Sequence, residues 1–396
     1  MKRKITEISV FEFFMCIFVI TIHLMSDGVD HFTKWTAASV VFSTITRLIT
    51  FAVPGFVFTS AIKLFYNYGD KKLNYPKFLL GRFLKVYLPY MIAVTLYYVI
   101  YSLVLKIEGY ENFNFSTLLK YIWDGSISAQ FYFVILIVQF YILMPIWWLM
   151  AKIKSHLAII LIIIATLILT IISRFYFTEI ASAFINGTAS LKLPFANPIA
   201  GYDPKEHLVE ISAYTNKFFT SYLVFWVMGM YIGKNYDDFN EFVDTSKPII
   251  YIGWLILAIT HCSLSYMKSC GIFRYTFEPI IVIFFCLFAI FGFYIYVNNL
   301  SRSLESKGKG FLSSIANASY DIYLIHCLVI TTVYFYMKKA DIEDPMTKFW
   351  IAAGITYVFS IVFCVIESTI QTNFRMRHRR KSTENARKMA RRKRYL

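Results

Sequence analysis

Long apolar runs, separated by short polar connections, make up most of this chain. A helix needs roughly 20 predominantly apolar residues to cross the hydrocarbon core of a bilayer. Ten segments of the sequence meet this requirement, at about 8–26, 38–66, 86–105, 129–151, 156–177, 217–235, 248–267, 276–298, 311–336 and 348–370. The pattern therefore predicts an all-α fold, a polytopic membrane helix bundle with about ten transmembrane helices.

The second of these segments is longer than one crossing requires, and it carries Pro54 and Gly55 near its middle. Proline has no amide hydrogen, and its ring clashes with the carbonyl group four residues earlier in a helix. We therefore expect a kink or a break in this span. The backbone groups freed there must find partners in the protein or in a water-filled cavity.

The composition supports a membrane protein and excludes several other classes. Hydrophobic residues make up 58% of the chain and charged residues 16%, whereas soluble domains average about 45–50% apolar and about 25% charged residues. Phenylalanine (39 residues) and tyrosine (29 residues) are abundant, as expected for lipid-facing surfaces and interfacial belts. These values exclude a secreted globular domain, a disordered chain and a coiled coil.

Positive charge is concentrated near the C-terminus. The chain carries 40 Lys and Arg residues against 24 Asp and Glu, a net charge of +16, and eleven of the basic residues lie in 375–396. Because basic residues next to spans stay on the cytoplasmic side, this distribution predicts that both termini are cytoplasmic. We therefore divide the chain into an integral-membrane domain, 1–374, and a basic tail, 375–396, that contacts anionic lipid headgroups. Nucleic-acid binding is not expected, because no recognition fold accompanies the basic cluster.

The six cysteines form no recognisable metal-binding or disulfide pattern. Most of them lie inside apolar runs and no CxxC pair occurs, so we interpret them as small apolar packing residues. No metal site is expected. The chain also lacks a phosphate-binding loop and a Gly-x-Gly-x-x-Gly motif, so no bound cofactor is expected either.

The first span carries ionisable residues, which are costly inside a bilayer and therefore mark functional candidates. Glu12 and His23 are separated by about 1100° of helical rotation, which places them on nearly the same face. Asp27 follows His23 by four residues, a spacing at which a carboxylate can orient the imidazole. We interpret His23 and Asp27 as catalytic candidates and Glu12 as a cavity residue. His23 could instead be hydrogen-bonded to a neighbouring helix, and Asp27 could be a solvated residue at the outer end.

The ninth span places Ser319, Tyr323 and His326 on one helical face, at positions i, i+4 and i+7. A hydroxyl, a phenol and an imidazole in one line suit the wall of a polar cavity. Hydrogen bonds between packed spans explain the same pattern equally well.

At the cytoplasmic end of the third span, Arg82 and Lys85 are three residues apart and share a helical face. Their cations could clamp a phosphate group. Taken alone, they could also serve as positive-inside anchors of the span. The combination of a cationic inner mouth with histidines deeper in the bundle favours the phosphate site.

Two features are especially characteristic, namely an opening span that ends in a histidine and a late Ser-x-x-x-Tyr-Leu-x-His motif. With four further stretches, they are distributed along most of the chain: Glu7 to His23, Val53 to Ala61, Arg82 to Pro89, Gln130 to Pro145, Gly229 with Gly233, and Ser319 to His326. Together they resemble the acyltransferase-3 family of bacterial integral-membrane acyltransferases. That family includes O-acetyltransferases of surface polysaccharides and related exopolysaccharide proteins.

The resemblance implies transfer of an acyl group, commonly acetyl, from cytoplasmic acyl-CoA to a hydroxyl of a glycan or lipid-linked sugar at the bacterial plasma membrane. It also implies that His23 is the general base, that Arg82 and Lys85 bind the phosphates of CoA, and that His326 lines the acceptor or transfer cavity. The sequence departs from the family pattern at Glu12, where an arginine is usual. The inverted charge could change the acceptor or abolish catalysis.

Two other functions remain open. An export component for a surface polysaccharide would use the polar stripe as a path and acylate nothing. A catalytically inactive scaffold in an envelope complex is compatible with Glu12. The phosphate clamp distinguishes the enzyme from the exporter, because the path of a neutral glycan needs no phosphate site.

Overall fold

The computed structural model describes residues 5–31, 36–69, 71–110, 112–176, 217–270, 278–304, 309–363, 365–366 and 369–370. Within them, the side chains of 27–31, 175–176, 268–269, 278–279, 304 and 309–318 are not described. All regular secondary structure in the described ranges is helical. The predicted basic tail, 375–396, lies outside them, and the cytoplasmic location of both termini stays a prediction.

The chain folds into consecutive helices, most of them joined by short connections. In order they are α1 (Thr6–His31), α2 (Ala37–Leu48), α3 (Ala52–Tyr68), α4 (Tyr75–Arg82), α5 (Leu88–Val99), α6 (Phe115–Asp124), α7 (Tyr132–Ile142), α8 (Met144–Met150), α9 (His156–Ile171), α10 (Leu223–Lys234), α11 (Tyr236–Thr245), α12 (Lys247–Ser269), α13 (Glu278–Leu304), α14 (Lys309–Lys339) and α15 (Pro345–Phe363). A π-helical segment, Phe83–Tyr87, joins α4 to α5, and two more, Ile100–Val104 and Ile172–Tyr176, extend α5 and α9.

Within the described part of the chain, eight helices are long and apolar enough to cross a membrane. They are α1, α2 with α3, α4 with α5, α9, α12, α13, α14 and α15. A ninth crossing results if α6 and α7, which meet at an angle of 56°, form one broken span. The predicted all-α, polytopic membrane bundle is confirmed, and the chain is a multi-pass membrane protein.

The predicted sixth span, 217–235, forms a shorter element than its sequence suggests. Helix α10 has 12 residues, so it is about 18 Å long at 1.5 Å per residue. A 3₁₀ turn, Phe219–Tyr222, precedes it and adds about 8 Å, which leaves the helical segment below the hydrocarbon thickness of about 30 Å. It is nevertheless buried, because it packs closely along α3. At Gly233 a Cβ atom would lie 2.6 Å from the carbonyl oxygen of Ile62. This close approach of the two backbones requires glycine.

The predicted break in the second span lies just before its proline. Residues 49–51 separate α2 from α3. Because Pro54 has no amide hydrogen, it cannot donate to the carbonyl of Thr50. Helical bonding resumes one residue later, where the amide of Gly55 donates to the carbonyl of Phe51 at 2.8 Å. The proline therefore marks the first turn of the second half of this span.

Helix α1 occupies the centre of the bundle, where it packs against α2, α3, α13 and α14. The rings of Phe18, Phe51 and Phe293 meet beside it, with centroids 5.2–5.9 Å apart. In contrast, α9, α12 and α15 expose many large apolar side chains at the outer surface, as helices in contact with lipid do. Both His23 and Glu12 of α1 are therefore turned into the protein, where His23 lies beside α14 and Glu12 lies beside α3.

Candidate functional site

The centre of the bundle brings together two histidines from opposite ends of the chain. Helix α1 packs along α14, and the ring centroids of His23 and His326 lie 5.3 Å apart at an interplanar angle of 45°. His326 is fully buried and His23 is partly buried. The structure therefore places the predicted base, His23, directly beside the predicted cavity residue His326.

Hydrogen bonding determines which ring nitrogen of His326 carries the hydrogen. Its Nδ1 atom lies 2.8 Å from the carbonyl oxygen of Tyr323 and 3.3 Å from that of Ile322. Since carbonyl oxygens only accept, Nδ1 must be the protonated nitrogen that donates to them. The Nε2 atom of the neutral ring consequently keeps its lone pair, and it can accept a proton or bind a cation.

A thiol completes this group. Cys327 Sγ lies 3.2 Å from His326 Nε2, and the possible ligand atoms of His23, His326 and Cys327 all lie within 4.8 Å of one another. We call these three residues the histidine cluster. Zinc accepts imidazole nitrogen and thiolate sulfur, so within the described part of the chain this is the group that could hold a metal ion.

Cys327 is not among the site residues predicted from the sequence. The sequence pattern favours packing roles for all six cysteines and predicts no metal site. The available signal was the position of Cys327 directly after the motif histidine, His326. Its approach to Nε2 depends on side-chain geometry that adjacency alone does not specify.

Tyr323, a predicted cavity residue, connects α14 to neighbouring helices. Its hydroxyl donates to the carbonyl of Gln130, whose side-chain amide donates to the Tyr97 hydroxyl at 2.8 Å. Its ring packs against Phe56 and Phe133, with centroids 6.1 and 5.7 Å away. For Tyr323, the structure therefore shows the interhelical hydrogen bonding that the sequence left open as an alternative.

Tyr97 holds the segment of α14 that carries the histidine. Its hydroxyl donates to the carbonyl of Leu324 at 3.0 Å and accepts from the amide of Leu328 at 2.8 Å. These two backbone groups stand at positions i and i+4 of the helix, where they would normally bond each other, so the Tyr97 hydroxyl bridges them. His326 lies between Leu324 and Leu328, so this bridge fixes the position of the His326 backbone.

Of the predicted site residues Ser319 and Asp27, only Ser319 has a described side chain. Ser319 is buried, and its carbonyl accepts a hydrogen bond from the Cys16 thiol at 3.4 Å, so it lies in the contact between α14 and α1. The side chain of Asp27 lies outside the described residues. Its contact with His23 therefore stays a prediction.

Glu12 belongs to a separate polar site on α1. It forms an ion pair with Lys63 of α3, and the two side chains are 14% and 34% exposed. At 1.5 Å per residue, Glu12 lies about 16 Å along the helix from His23. The acidic residue that replaces the expected arginine is therefore neutralised by a cation from α3, away from the histidine cluster.

The two basic residues predicted to bind phosphate have different surroundings. The Arg82 guanidinium lies 5.2 and 5.3 Å from the ring centroids of Phe78 and Tyr141, and it lines a cavity of about 870 Å³. Lys85 is exposed and is not among the lining residues. The π-helical segment Phe83–Tyr87 explains the difference, because its wider turn rotates residues three apart away from a shared face.

This cavity, which we call the lateral cavity, lies at the edge of the bundle. Its wall is mostly apolar, and Trp123 and Ile142 in that wall are also exposed at the outer surface. Three described lining residues are basic: Arg82, Lys120 and Lys217. Lys217 Nζ donates to the carbonyl of Asp124 at 3.0 Å. Neither lysine was predicted, because only the fold brings them to Arg82.

The lateral cavity and the histidine cluster are adjacent but separate. Among the described residues that line the cavity, neither histidine occurs. The Tyr320 hydroxyl donates to the carbonyl of Val86 at 2.8 Å, and the next residue, Tyr87, lines the cavity. From Tyr320 to His326, α14 rises by about 9 Å. One helix therefore connects the cavity wall to the cluster.

Comparison with known proteins gives one match. The family model of an acyltransferase domain, acyltransferase-3, matches residues 5–366, nearly the whole chain. The resemblance inferred from the motifs is confirmed by this match. No curated protein and no solved structure matches the chain.

Proposed function

The chain belongs to the acyltransferase-3 family and is a membrane acyltransferase, and we propose that it transfers an acetyl group from acyl-CoA to a hydroxyl of a cell-envelope glycan or lipid-linked sugar. The proposed location is the plasma membrane of a bacterium. Cytoplasmic acetyl-CoA is the proposed donor, used as a substrate and not as a resident cofactor.

The pair of imidazoles in the bundle centre is the observation that carries this proposal. Transfer of an acyl group to a hydroxyl requires a base that takes the hydroxyl proton as the oxygen attacks. His23 is the base in our proposal. His326 stands beside it at a centroid distance of 5.3 Å, with its ring orientation fixed by backbone carbonyls.

The lateral cavity supports binding of the donor. Acyl-CoA combines several phosphates with a less polar pantetheine arm. The cavity offers Arg82, Lys120 and Lys217 for the phosphates and an apolar wall for the arm. Its volume of about 870 Å³ lies within the usual range for small-molecule sites.

The proposed reaction requires a movement between the two regions. Phe56, Phe133 and Tyr323 pack together next to His326, with ring centroids 5.6–6.1 Å apart, and the ring of Tyr323 lies 5.8 Å from that of His326. We propose that these rings move aside when the donor arm enters. The thioester then reaches the histidine cluster along α14.

Purified protein in lipid nanodiscs allows a direct test. Acetyl-CoA should raise the thermal unfolding temperature, and release of free CoA should increase when a soluble sugar acceptor is added. His23→Ala should lower the rate of transfer by about 10²–10⁴-fold. The matched control is His156→Ala, because His156 is exposed at the start of α9.

The polysaccharide-export alternative makes the opposite prediction. A protein that only conducts a neutral glycan should show no stabilisation by acetyl-CoA at millimolar concentration and no release of CoA. The separation of the lateral cavity from the histidines is the observation that favours this alternative. Undiminished transfer by His23→Ala would exclude His23 as the base.

A further inference from the structure

We propose that Cys327 is a catalytic nucleophile that carries the acyl group as an enzyme-bound thioester between donor and acceptor. The proposal rests on the proposed function, because it takes acyl-CoA as the donor. It adds a covalent intermediate to the reaction and assigns a chemical role to a residue outside the family motif.

The geometry supplies the three components of an activated nucleophile: a nucleophile, a base within hydrogen-bond reach, and a group that orients the base. Cys327 Sγ lies 3.2 Å from His326 Nε2. The opposite ring nitrogen donates to the carbonyl of Tyr323 at 2.8 Å. That hydrogen bond leaves Nε2 as the acceptor, so the thiol donates to the nitrogen that can remove its proton.

His23 supplies a second base to the same group. Its ring nitrogen lies within 4.8 Å of both Cys327 Sγ and the His326 ring nitrogen. A two-step transfer needs a proton acceptor in each step, first for the thiol and then for the acceptor hydroxyl. Two imidazoles around one thiol meet that requirement.

A second copy of the same dipeptide shows that the arrangement depends on the fold. His261 and Cys262 also follow one another, on α12. There the imidazole stacks on Phe285, at a centroid distance of 5.1 Å. Cys262 is partly exposed, whereas Cys327 is buried in the group that contains both His23 and His326. Cys262 is therefore a matched control.

In the first half-reaction, Cys327 Sγ attacks the carbonyl carbon of the donor thioester while His326 Nε2 takes the thiol proton. A bond forms between Sγ and that carbon, and the bond from the carbon to the CoA sulfur breaks. The proton on Nε2 passes to the departing CoA thiolate. The products are acyl-Cys327 and CoA thiol, and nothing is oxidised or reduced.

In the second half-reaction, the acceptor hydroxyl oxygen attacks the acyl carbon on Cys327 while His23 takes the hydroxyl proton. The oxygen–carbon bond forms, the bond from the carbon to Sγ breaks, and His23 returns the proton to the thiolate. The sum of both steps is acyl-CoA and a hydroxyl giving an ester and CoA thiol.

The intermediate separates the two substrates in time. The donor thioester still moves to Cys327 from the lateral cavity, which neither histidine lines among the described residues. A thioester on Cys327 lets CoA leave before the acceptor arrives, so the two substrates need not occupy the bundle centre together. It also keeps the acyl group activated, because one thioester replaces another.

The test is to trap the intermediate. Wild-type protein in nanodiscs is incubated with radiolabelled acetyl-CoA and no acceptor, then denatured. We expect protein-bound label, a matching burst of free CoA, and release of the label by neutral hydroxylamine, as for a thioester. Peptide mapping should place the acetyl group on Cys327, and addition of the acceptor before denaturation should discharge it.

Cysteine variants identify the residue that carries the acyl group. Cys327→Ala should lose the label and slow transfer by more than about a hundredfold, whereas Cys262→Ala should retain both. Thermal unfolding and size-exclusion profiles check that Cys327→Ala is folded. Cys327→Ser is a second variant that preserves size and replaces the thiol with a weaker nucleophile, and it should also be slowed at unchanged stability.

Three outcomes would overturn the proposal: transfer by Cys327→Ala at the wild-type rate, label on an imidazole, or a stoichiometric metal ion that is lost in Cys327→Ala. In each case transfer by the wild-type protein would leave the proposed function intact. If the wild-type protein released no CoA with any acceptor, the proposed function itself would fail.

Discussion

The histidine cluster and the lateral cavity differ in packing, polarity and exposure. The cluster is enclosed by helices. The His326 ring donates a hydrogen bond to the carbonyl of Tyr323, and the Tyr97 hydroxyl bonds the α14 backbone on both sides of His326, at Leu324 and Leu328. The cavity has an apolar wall at the edge of the bundle, with Arg82 and Lys217 projecting into it. The first region holds imidazole and thiol side chains in fixed positions, and the second presents cations beside an open apolar wall.

Under the proposed function, this difference separates donor binding from chemistry. Charge in an open cavity contributes to affinity, whereas a buried, oriented imidazole contributes to the reaction step. Substitutions in the two regions should therefore change different kinetic constants.

The largest effect is expected in the cluster. His23→Ala and His326→Ala should each lower the rate of acyl transfer by about 10²–10⁴-fold. Because groups that act as a unit are not additive, the double variant should lose no more than the more severe single variant. Initial rates of CoA release, at equal protein abundance, measure the loss of transfer rate in the single and double variants. Effects that multiply would show that the two imidazoles act independently.

A smaller effect is expected in the cavity. Arg82→Ala and Lys217→Ala should each raise the KM for acyl-CoA by about tenfold and leave kcat nearly unchanged, because they remove contacts to phosphate that do not change during the reaction. Lys85→Ala is the matched control, since Lys85 is exposed and does not line the cavity.

Steady-state kinetics with acyl-CoA and the acceptor varied separately tests the cavity. An equal loss for both substrates in Arg82→Ala would indicate damage to folding. A raised KM in Lys85→Ala would place that lysine in the donor site after all.

The Glu12–Lys63 ion pair lies on α1 away from the cluster, so we expect substitutions there to change stability and not the rate of transfer. Glu12→Gln should lower stability by about 1 kcal/mol, since the partly exposed pair is screened by solvent. Reversing the pair, with Glu12→Lys and Lys63→Glu together, should recover part of that loss. Thermal unfolding in nanodiscs measures both. Loss of transfer at unchanged stability would instead assign Glu12 to the acceptor site.

The smallest effect is expected at Asp244, outside both regions. Hydrogen bonding to Lys247 lowers the pKa of this carboxyl below its ordinary value of 3.8, with a further contribution from the charge of Arg302. A carboxyl with a lowered folded-state pKa stabilises the protein above its unfolded pKa, and this stabilisation is lost as pH falls through the folded pKa.

Asp244→Asn should therefore lower stability by less than about 1 kcal/mol at neutral pH, since the exposed pair is screened. The difference from wild type should disappear in acid, well below pH 4, and transfer should be unchanged. Unfolding temperatures measured across this pH range test the prediction. A difference that persisted in acid would show that the asparagine perturbs packing.

Local sequence patterns were sufficient for much of the architecture. The apolar runs predicted the membrane bundle, because the length needed to cross a bilayer is a local property of the chain. They did not predict that α10 is only 12 residues long. The apolar side chains of α10 pack against α3 inside the protein, and Gly233 permits the close approach of the two helices. A hydropathy pattern does not distinguish such burial in protein from burial in lipid.

The sequence by itself determined the membrane-embedded helical architecture, the family, and the choice of His23 and His326 as candidates. Polar residues stand out in apolar runs wherever they occur. Only the tertiary structure decided that these histidines meet, that Cys327 joins them, and that Lys217 and not Lys85 accompanies Arg82. Such contacts depend on how each helix is rotated against its neighbours, which side-chain packing along its whole length fixes and no local pattern contains.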